Sequence, residues 1–348
     1  MPDQSSENKK AVGIVIGVIA VVALVPALLI VGGFVVYMVL ASRVSVQKPS
    51  GLPDEYDYGV EKLQVIDPKL IAYREAATIA LPFEQPRGVA VDQSDRIYAA
   101  GDHQIVVFGS DGARQSSIQT AGPPQALAVA DDGAIFAATT DHVEVYAPDG
   151  ERRASWDSLG EKAMVTSIAV ADDAVFVADA GNRIVVHYDR EGKLLGRIGK
   201  KDPERGVPGF LIPSPYFDLA VGPSGMLWVV NPGRRRVELY LRNGDLELAW
   251  GQSGTRVEAF SGCCNPSHIA LLPDGGVVTS EKGTVRVKVY DAHGALRCVV
   301  GAAPDPFDAD DLDLDLAVDS AGRILVLDPN SKLLRIFTRK KDDGQSNF

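Results

Sequence analysis

Residues 168–188 read IAVADDAVFVADAGNRIVVHY. An apolar-Ala-apolar phrase is followed by an acidic turn, a β-rich run, a second turn on Gly181-Asn182-Arg183 and another β-rich run. Val, Ile, Phe and Tyr suit a pleated, half-buried surface, while the Asp and Gly-Asn positions suit tight turns. The same phrase begins at Val89-Ala90-Val91-Asp92, Leu127-Ala128-Val129-Ala130, Leu219-Ala220-Val221-Gly222, Ile269-Ala270-Leu271-Leu272 and Leu316-Ala317-Val318-Asp319. A period of roughly 40 to 50 residues with about four strand signals marks propeller blades, because one such unit cannot bury both faces and must stack on its neighbours. Hairpin turns at Asp132-Gly133, Ser224-Gly225, Asp274-Gly275 and Ala321-Gly322 separate the first two strand signals of their copies.

The sixth copy ends soon after its third strand signal, at Arg339-Lys340-Lys341. The missing outer strand is expected from Leu70 to Leu81, which precedes the first copy and has no inner strands of its own. Closing the ring with strands from both termini protects the last sheet edge. The expected fold is all-β: a six-bladed β-propeller of four-stranded antiparallel blades over residues 70–340, closed by an N-terminal outer strand. The repeated alanines are expected to be structural, since blades converge at the innermost strand and leave room for little more than a methyl group.

Two segments carry a family resemblance. Pro86-Arg87-Gly88-Val89-Ala90-Val91-Asp92 and Val177-Ala178-Asp179-Ala180-Gly181-Asn182-Arg183-Ile184-Val185-Val186 resemble NHL-repeat propellers. The resemblance implies the six-bladed fold and leaves activity open, because that fold serves sensors, scaffolds, lyases and lactonases. Among six-bladed relatives, peptidyl-amidating lyases hold zinc through several histidines at the mouth. The five histidines here, His103, His142, His187, His268 and His293, are scattered and depart from that pattern. A lactonase-like site of Glu and Asn also lacks clear counterparts.

N-terminal to the propeller, residues 11–41 contain no charged side chain, a run longer than the about 20 residues needed to cross a bilayer core and longer than a signal-peptide apolar region. The expectation is a 1–10 tail, a transmembrane signal-anchor at 11–41, a turn-rich spacer at 42–69 and a 341–348 C-terminal tail. Lys9 and Lys10 stand close before the span and place the N-terminus in the cytoplasm and the propeller outside it, as in a bacterial envelope protein. The net charge of −11 argues against nucleic acid as a partner.

Function is sought where the copies differ. The residue before each apolar-Ala pair is Gly88, Ala126, Ser167, Asp218, His268 and Asp315. Strand alternation puts this register on the face of the repeated Ala, near the end of the inner strand. Asp218, His268 and Asp315 should therefore cluster at the mouth as candidate catalytic residues or ligands for a divalent metal (zinc, copper or calcium). The loop Phe260-Ser261-Gly262-Cys263-Cys264-Asn265-Pro266-Ser267-His268 adds Cys263 and Cys264 as a vicinal disulfide, a thiol pair or soft metal ligands. Arg87, Arg234, Arg235 and Lys282 join the two cysteines as candidate ligand-binding residues, since guanidinium forks grip anions; Arg236 aligns with the turn residue Arg183. Six aspartates between Asp305 and Asp315 offer oxygen ligands for calcium, without EF-hand spacing. No Gly-x-Ser-x-Gly elbow, phosphate-cradling loop or His-Glu-x-x-His pair is present. The leading expectation is a membrane-anchored propeller that binds a protein, peptide or small ligand at its mouth. Its alternatives are a metal-dependent lyase or hydrolase and a redox or metal-handling factor.

Overall fold

A computed structural model describes residues 65–171 and 173–341. The tail, the 11–41 span and the spacer up to residue 64 lie outside the described residues, as do residues 342–348. Among the described residues no helix is long and apolar enough to cross a membrane.

Among the described residues, twenty-four strands form six four-stranded antiparallel sheets. The described chain opens on β1 (Tyr73–Ala80). Blade 1 follows as β2 (Pro86–Val91), β3 (Ile97–Gly101), β4 (Gln104–Phe108) and β5 (Arg114–Gln119), and blade 2 as β6 (Ala126–Val129), β7 (Ile135–Ala138), β8 (Val143–Tyr146) and β9 (Arg152–Ser155). Blade 3 comprises β10 (Val165–Val170), β11 (Ala174–Asp179), β12 (Ile184–Asp189) and β13 (Leu194–Ile198). Blade 4 comprises β14 (Leu219–Val221), β15 (Leu227–Asn231), β16 (Arg236–Tyr240) and β17 (Leu246–Trp250). Blade 5 comprises β18 (His268–Leu271), β19 (Val277–Glu281), β20 (Arg286–Tyr290) and β21 (Leu296–Ala302). Blade 6 contributes β22 (Asp315–Val318), β23 (Ile324–Asp328) and β24 (Leu333–Arg339), and β1 pairs antiparallel with β24 from Tyr73 opposite Arg339 to Ala80 opposite Leu333. The ring is thus closed by the N-terminal strand, as the truncated sixth copy requires.

The second strands β3, β7, β11, β15, β19 and β23 are buried throughout, which explains their apolar and small residues, and four of them close on a buried polar residue: Asp179, Asn231, Glu281 and Asp328. The core is divided into six clusters, one at each seam between blades, and every cluster holds one repeated Ala facing the apolar pair of the next blade. Ala90 meets Leu127 and Val129, Ala128 meets Ile168 and Val170, and Ala169 meets Leu219 and Val221. Ala220 meets Ile269 and Leu271, Ala270 meets Leu316 and Val318, and Ala317 meets Val89 and Val91 across the closure. A larger side chain at any of these six alanines would overpack a seam, at a cost of about 1–3 kcal/mol.

Loops leading into the inner strands are fixed by the turns between second and third strands. Asp102 accepts the Glu84 and Gln85 N–H groups at 2.9 Å, Asp179 accepts the Met164 N–H at 3.0 Å, and Asn231 accepts the Leu211 N–H at 3.0 Å. Arg183 and Arg235 occupy the left-handed region of these turns, at φ 57° and 55°. The counterpart of Arg183 is therefore Arg235, not Arg236, because the three-arginine run displaces the simple alignment by one.

Blade 5 adds a buried charge network. Glu281 lies 2.6 Å from Lys288 Nζ and accepts from Arg286 Nε at 2.7 Å, with all three side chains buried. Lys288 Nζ also donates to the carbonyls of Val257 (3.0 Å) and Ala259 (2.9 Å). Burial pushes the Lys288 ammonium down to about 8 against the attraction of Glu281. The network ties the long loop before β18 to the blade interior.

Candidate functional site at the propeller mouth

His268 opens β18, Asp315 opens β22 and Asp218 stands just before β14, so three consecutive inner strands deliver their first polar side chains to one height. Among the described residues, Asp218, His268 and Asp315 form the group whose potential metal-ligand atoms all lie within 4.8 Å of one another. The His268 ring lies between them. Its Nδ1 is 3.5 Å from Asp218 Oδ2 and 3.4 Å from Asp315 Oδ1, and its Nε2 is 2.8 Å from Asp313 Oδ1.

Both clustered carboxylates also join blades. Asp218 Oδ2 accepts the Ile269 N–H of blade 5 at 2.8 Å, and Asp315 Oδ2 accepts the Val89 N–H of blade 1 at 2.8 Å. Their other oxygens accept from Leu219 and Leu316, the residues that follow them. Ser167 makes the same latch more weakly, accepting the Leu219 N–H at 3.4 Å. The register that carries the candidate chemistry is therefore also the register from which one blade reaches the backbone of the next.

Electrostatics favour a charged ring. Burial alone would lower the His268 pKa, but hydrogen bonds with Asp218, Asp313 and Asp315 outweigh it and hold the imidazole well above its ordinary value. Burial raises Asp313 as well, and the His268 cation more than reverses this, leaving the carboxyl below its usual range. Asp315 is raised by burial and by neighbouring Asp218, against the pull of His268 and the Val89 N–H. Nε2 makes one short hydrogen bond, to Asp313, and the two Nδ1 contacts at 3.5 and 3.4 Å set the remaining carboxylates where they stabilise positive charge on the ring.

Above the ring lies a cavity of about 330 Å³ lined by Arg87, Gln125, Thr140, Met164, Thr166, Tyr216, Phe217, His268 and Asp313, among others. Beneath it a recess of about 70 Å³ is bounded by Ser167, Asp218, His268 and Asp315. Lys282 Nζ sits 3.6 Å over the Tyr216 ring and donates to Ser214 Oγ at 3.1 Å, so this cation braces the rim. Tyr216 in turn meets the His268 ring edge-on, with centroids 6.4 Å apart. Elsewhere, a cavity of about 550 Å³ at the opposite end of the axis is lined by Val91, Val170, Val221, Leu271 and Val318 together with Asp92, Arg242 and Asp319. Another of about 250 Å³ lies between blades 5 and 6, against Tyr73, Arg297, Cys298 and Arg339. Neither brings together a histidine and several carboxylates.

The remaining candidates separate. Arg234 donates to the carbonyls of Gly209 (3.2 Å) and Pro208 (3.0 Å), and Arg235 to those of Gly262 (3.0 Å) and Gly233 (3.3 Å), so both guanidiniums fasten loops. Cys263 is exposed and Cys264 buried, with free thiols whose sulfurs are 3.2 Å apart. The hydrogen bond with Cys264 pushes the Cys263 thiol up. Neither cysteine belongs to the Asp218–His268–Asp315 group. Cys298 is buried in β21, as its outer-strand position implies. In the acidic loop, Asp311 accepts from Asp308 N–H and from Asn330 Nδ2 at 2.9 Å each, a local fold rather than a gathering of carboxylates.

Comparison with known proteins speaks to the fold. The chain resembles solved lyase propellers. It matches a streptogramin B lyase at 11% identity with a TM-score of 0.54, over 77% of this chain and 98% of that one. It matches selenomethionine-substituted virginiamycin B lyase from Staphylococcus aureus at 10% identity with a TM-score of 0.53, over 77% of this chain and 100% of that one. No family model matches, so the NHL resemblance rests on its motifs alone. No curated protein matches in sequence. At such identities the likeness establishes the six-bladed architecture and leaves the site to be argued from its own residues.

Four site residues escaped the sequence reading as members of this site, Asp313 having been counted only among the acidic-loop oxygens. Asp313 was hidden in an acidic run, Tyr216 in a Pro-rich loop, and Gln125 and Thr166 in positions just before the compared register. Tyr216 and Asp313 each stand two residues before that register, in blades 4 and 6, a signal available once the copies are aligned.

Proposed function

We propose that the protein is a ligand-binding propeller that takes a small molecule into the mouth cavity, and that an N-terminal apolar anchor holds the propeller outside the cytoplasm. The observation that carries the reading is the cavity of about 330 Å³, whose wall joins the exposed Arg87 guanidinium on one side to His268 and Asp313 on the other. Its chemistry suits a ligand with an anionic group for Arg87, a hydrogen-bond donor for Asp313 and an apolar portion against Met164, Tyr216 and Phe217. Amino acids and short peptides have that combination. Thermal unfolding of the full chain with simple carboxylates, amino acids and dipeptides tests the reading. Compounds bearing both groups should raise Tm, and Arg87→Ala should remove the rise; a panel without an Arg87-dependent shift would refute it. Protease accessibility in intact cells, against cells made permeable, tests the side of the membrane.

A second reading has its own observation, the 4.8 Å clustering of Asp218, His268 and Asp315. Two carboxylates and an imidazole fit zinc or a harder divalent ion, which would supply Lewis-acid activation for a lyase or hydrolase. The likeness to the streptogramin B lyase propeller suggests that reaction class. Each carboxylate oxygen already accepts a backbone N–H and retains one lone pair for an ion. A proton on His268 and a metal on the same nitrogen exclude each other, and the three surrounding carboxylates favour positive charge on the ring. Elemental analysis of the full chain decides between them: a stoichiometric metal lost in His268→Ala would establish the second reading.

A further inference from the structure

We propose that Cys263 and Cys264 form a thiol–disulfide exchange site at the rim, closed to a vicinal disulfide by low-molecular-weight disulfides. The thiols are 3.2 Å apart, and closure to a bond of about 2.05 Å brings them about 1.2 Å closer. Cys263 is exposed and Cys264 buried, which assigns their order of action: Cys263 meets the incoming disulfide and Cys264 resolves it.

Both flanks of the pair are held. Arg235 Nε donates to the Gly262 carbonyl at 3.0 Å on one side. On the other, Asn265 Nδ2 donates to the carbonyls of Ser261 (2.8 Å) and Lys282 (2.9 Å), and its Oδ1 accepts the Lys282 N–H at 2.9 Å. Gly262, at φ 67°, supplies the left-handed turn before Cys263. Fixed flanks keep the thiols together and favour ring closure over capture of a second external thiol. Metal capture is the competing use, but among the described residues no third His, Cys, Asp or Glu joins the pair in a ligating group. Cys298 is buried in β21, which leaves each member of the pair as the other's natural partner.

The chemistry balances without a further reagent. The Cys263 thiolate attacks one sulfur of the external disulfide, forming a mixed disulfide and expelling one thiolate. The Cys264 thiolate then attacks Cys263 Sγ, forming the intramolecular S–S bond and expelling the second thiolate. Two protein thiols are oxidised, one external disulfide is reduced to two thiols, and the two protons end on those products.

The test uses the full chain, fully reduced, then exposed to glutathione disulfide, quenched with N-ethylmaleimide and mapped by peptide mass. The expected result is a Cys263–Cys264 peptide that has lost the mass of two hydrogens, carries no glutathione and accepts maleimide only after reduction. Cys264→Ser should instead accumulate glutathione on Cys263. Wild-type protein that still alkylates at both cysteines, or that keeps glutathione on Cys263, would overturn the proposal without reference to the variant's folding.

Discussion

Blades 1 to 3 present Gly88, Ala126 and Ser167 at the inner-strand register where blades 4 to 6 present Asp218, His268 and Asp315. One residue earlier the balance reverses: blades 1 to 3 carry Arg87, Gln125 and Thr166, all lining the mouth cavity, while blades 4 to 6 carry Phe217, Ser267 and Leu314. The difference divides the mouth by task. Small residues in the first half leave the floor open, and polar groups one position higher face what enters. In the second half the polar groups sit lower, reach the next blade's backbone and enclose the His268 ring. The first half offers a ligand Arg87, Gln125 and Thr166, while the second half, apart from Tyr216, Phe217 and Asp313 at the cavity wall, is committed to holding the ring together.

The largest break in that contrast should come from His268→Ala, which leaves three carboxylates without their cation. Losing one partner of a buried ionic cluster costs about 3–5 kcal/mol, and urea unfolding of the full chain would measure it. The pH dependence has a definite sign. Because the folded-state pKa of His268 is raised, its contribution is fully present below its unfolded value of about 6.5 and is lost as pH rises through the raised folded value. Asp313 acts oppositely: its contribution is present above about 3.9 and is lost as pH falls through its lowered folded value. The gap between wild type and His268→Ala should therefore be widest from about pH 4 to 6.5.

Next in size is Asp218→Ala, which strips the acceptor from the Ile269 N–H and should cost about 1–3 kcal/mol. A double-mutant cycle with His268→Ala should show coupling of about 0.5–3 kcal/mol, since the two side chains share one cluster. Arg87→Ala should leave urea stability unchanged while weakening carboxylate ligands about tenfold by titration calorimetry, equal to about 1.4 kcal/mol of binding. Smallest of all, Ser167→Ala removes a latch of 3.4 Å and should cost about 0.5 kcal/mol, which would show how little of the seam in the first half depends on polar contacts.

Much of this division could be read from the chain itself. The repeated Ala revealed the seams because a single small residue is required wherever blades converge, and the truncated sixth copy revealed its replacement strand. The cluster was legible because Asp218, His268 and Asp315 share one strand register. Asp313 was not, because it reaches Nε2 from an irregular loop whose path is set by long-range bonds such as Asn330 to Asp311. Arg234 and Arg235 looked available for anions, yet the Asn231-Pro232-Gly233 turn directs both guanidiniums to nearby carbonyls. Side-chain direction in a turn depends on backbone angles that composition does not reveal.

The central claim, that the second half of the mouth is a caged imidazolium, is tested most directly by long-range nitrogen–proton NMR of the His268 ring in the full chain. At pH 6.5, where an ordinary imidazole is about half protonated, the spectrum should show both ring nitrogens protonated, unchanged by added zinc or by chelator. A neutral ring, or a nitrogen shifted by stoichiometric zinc, would contradict the cage and leave the metal reading in its place.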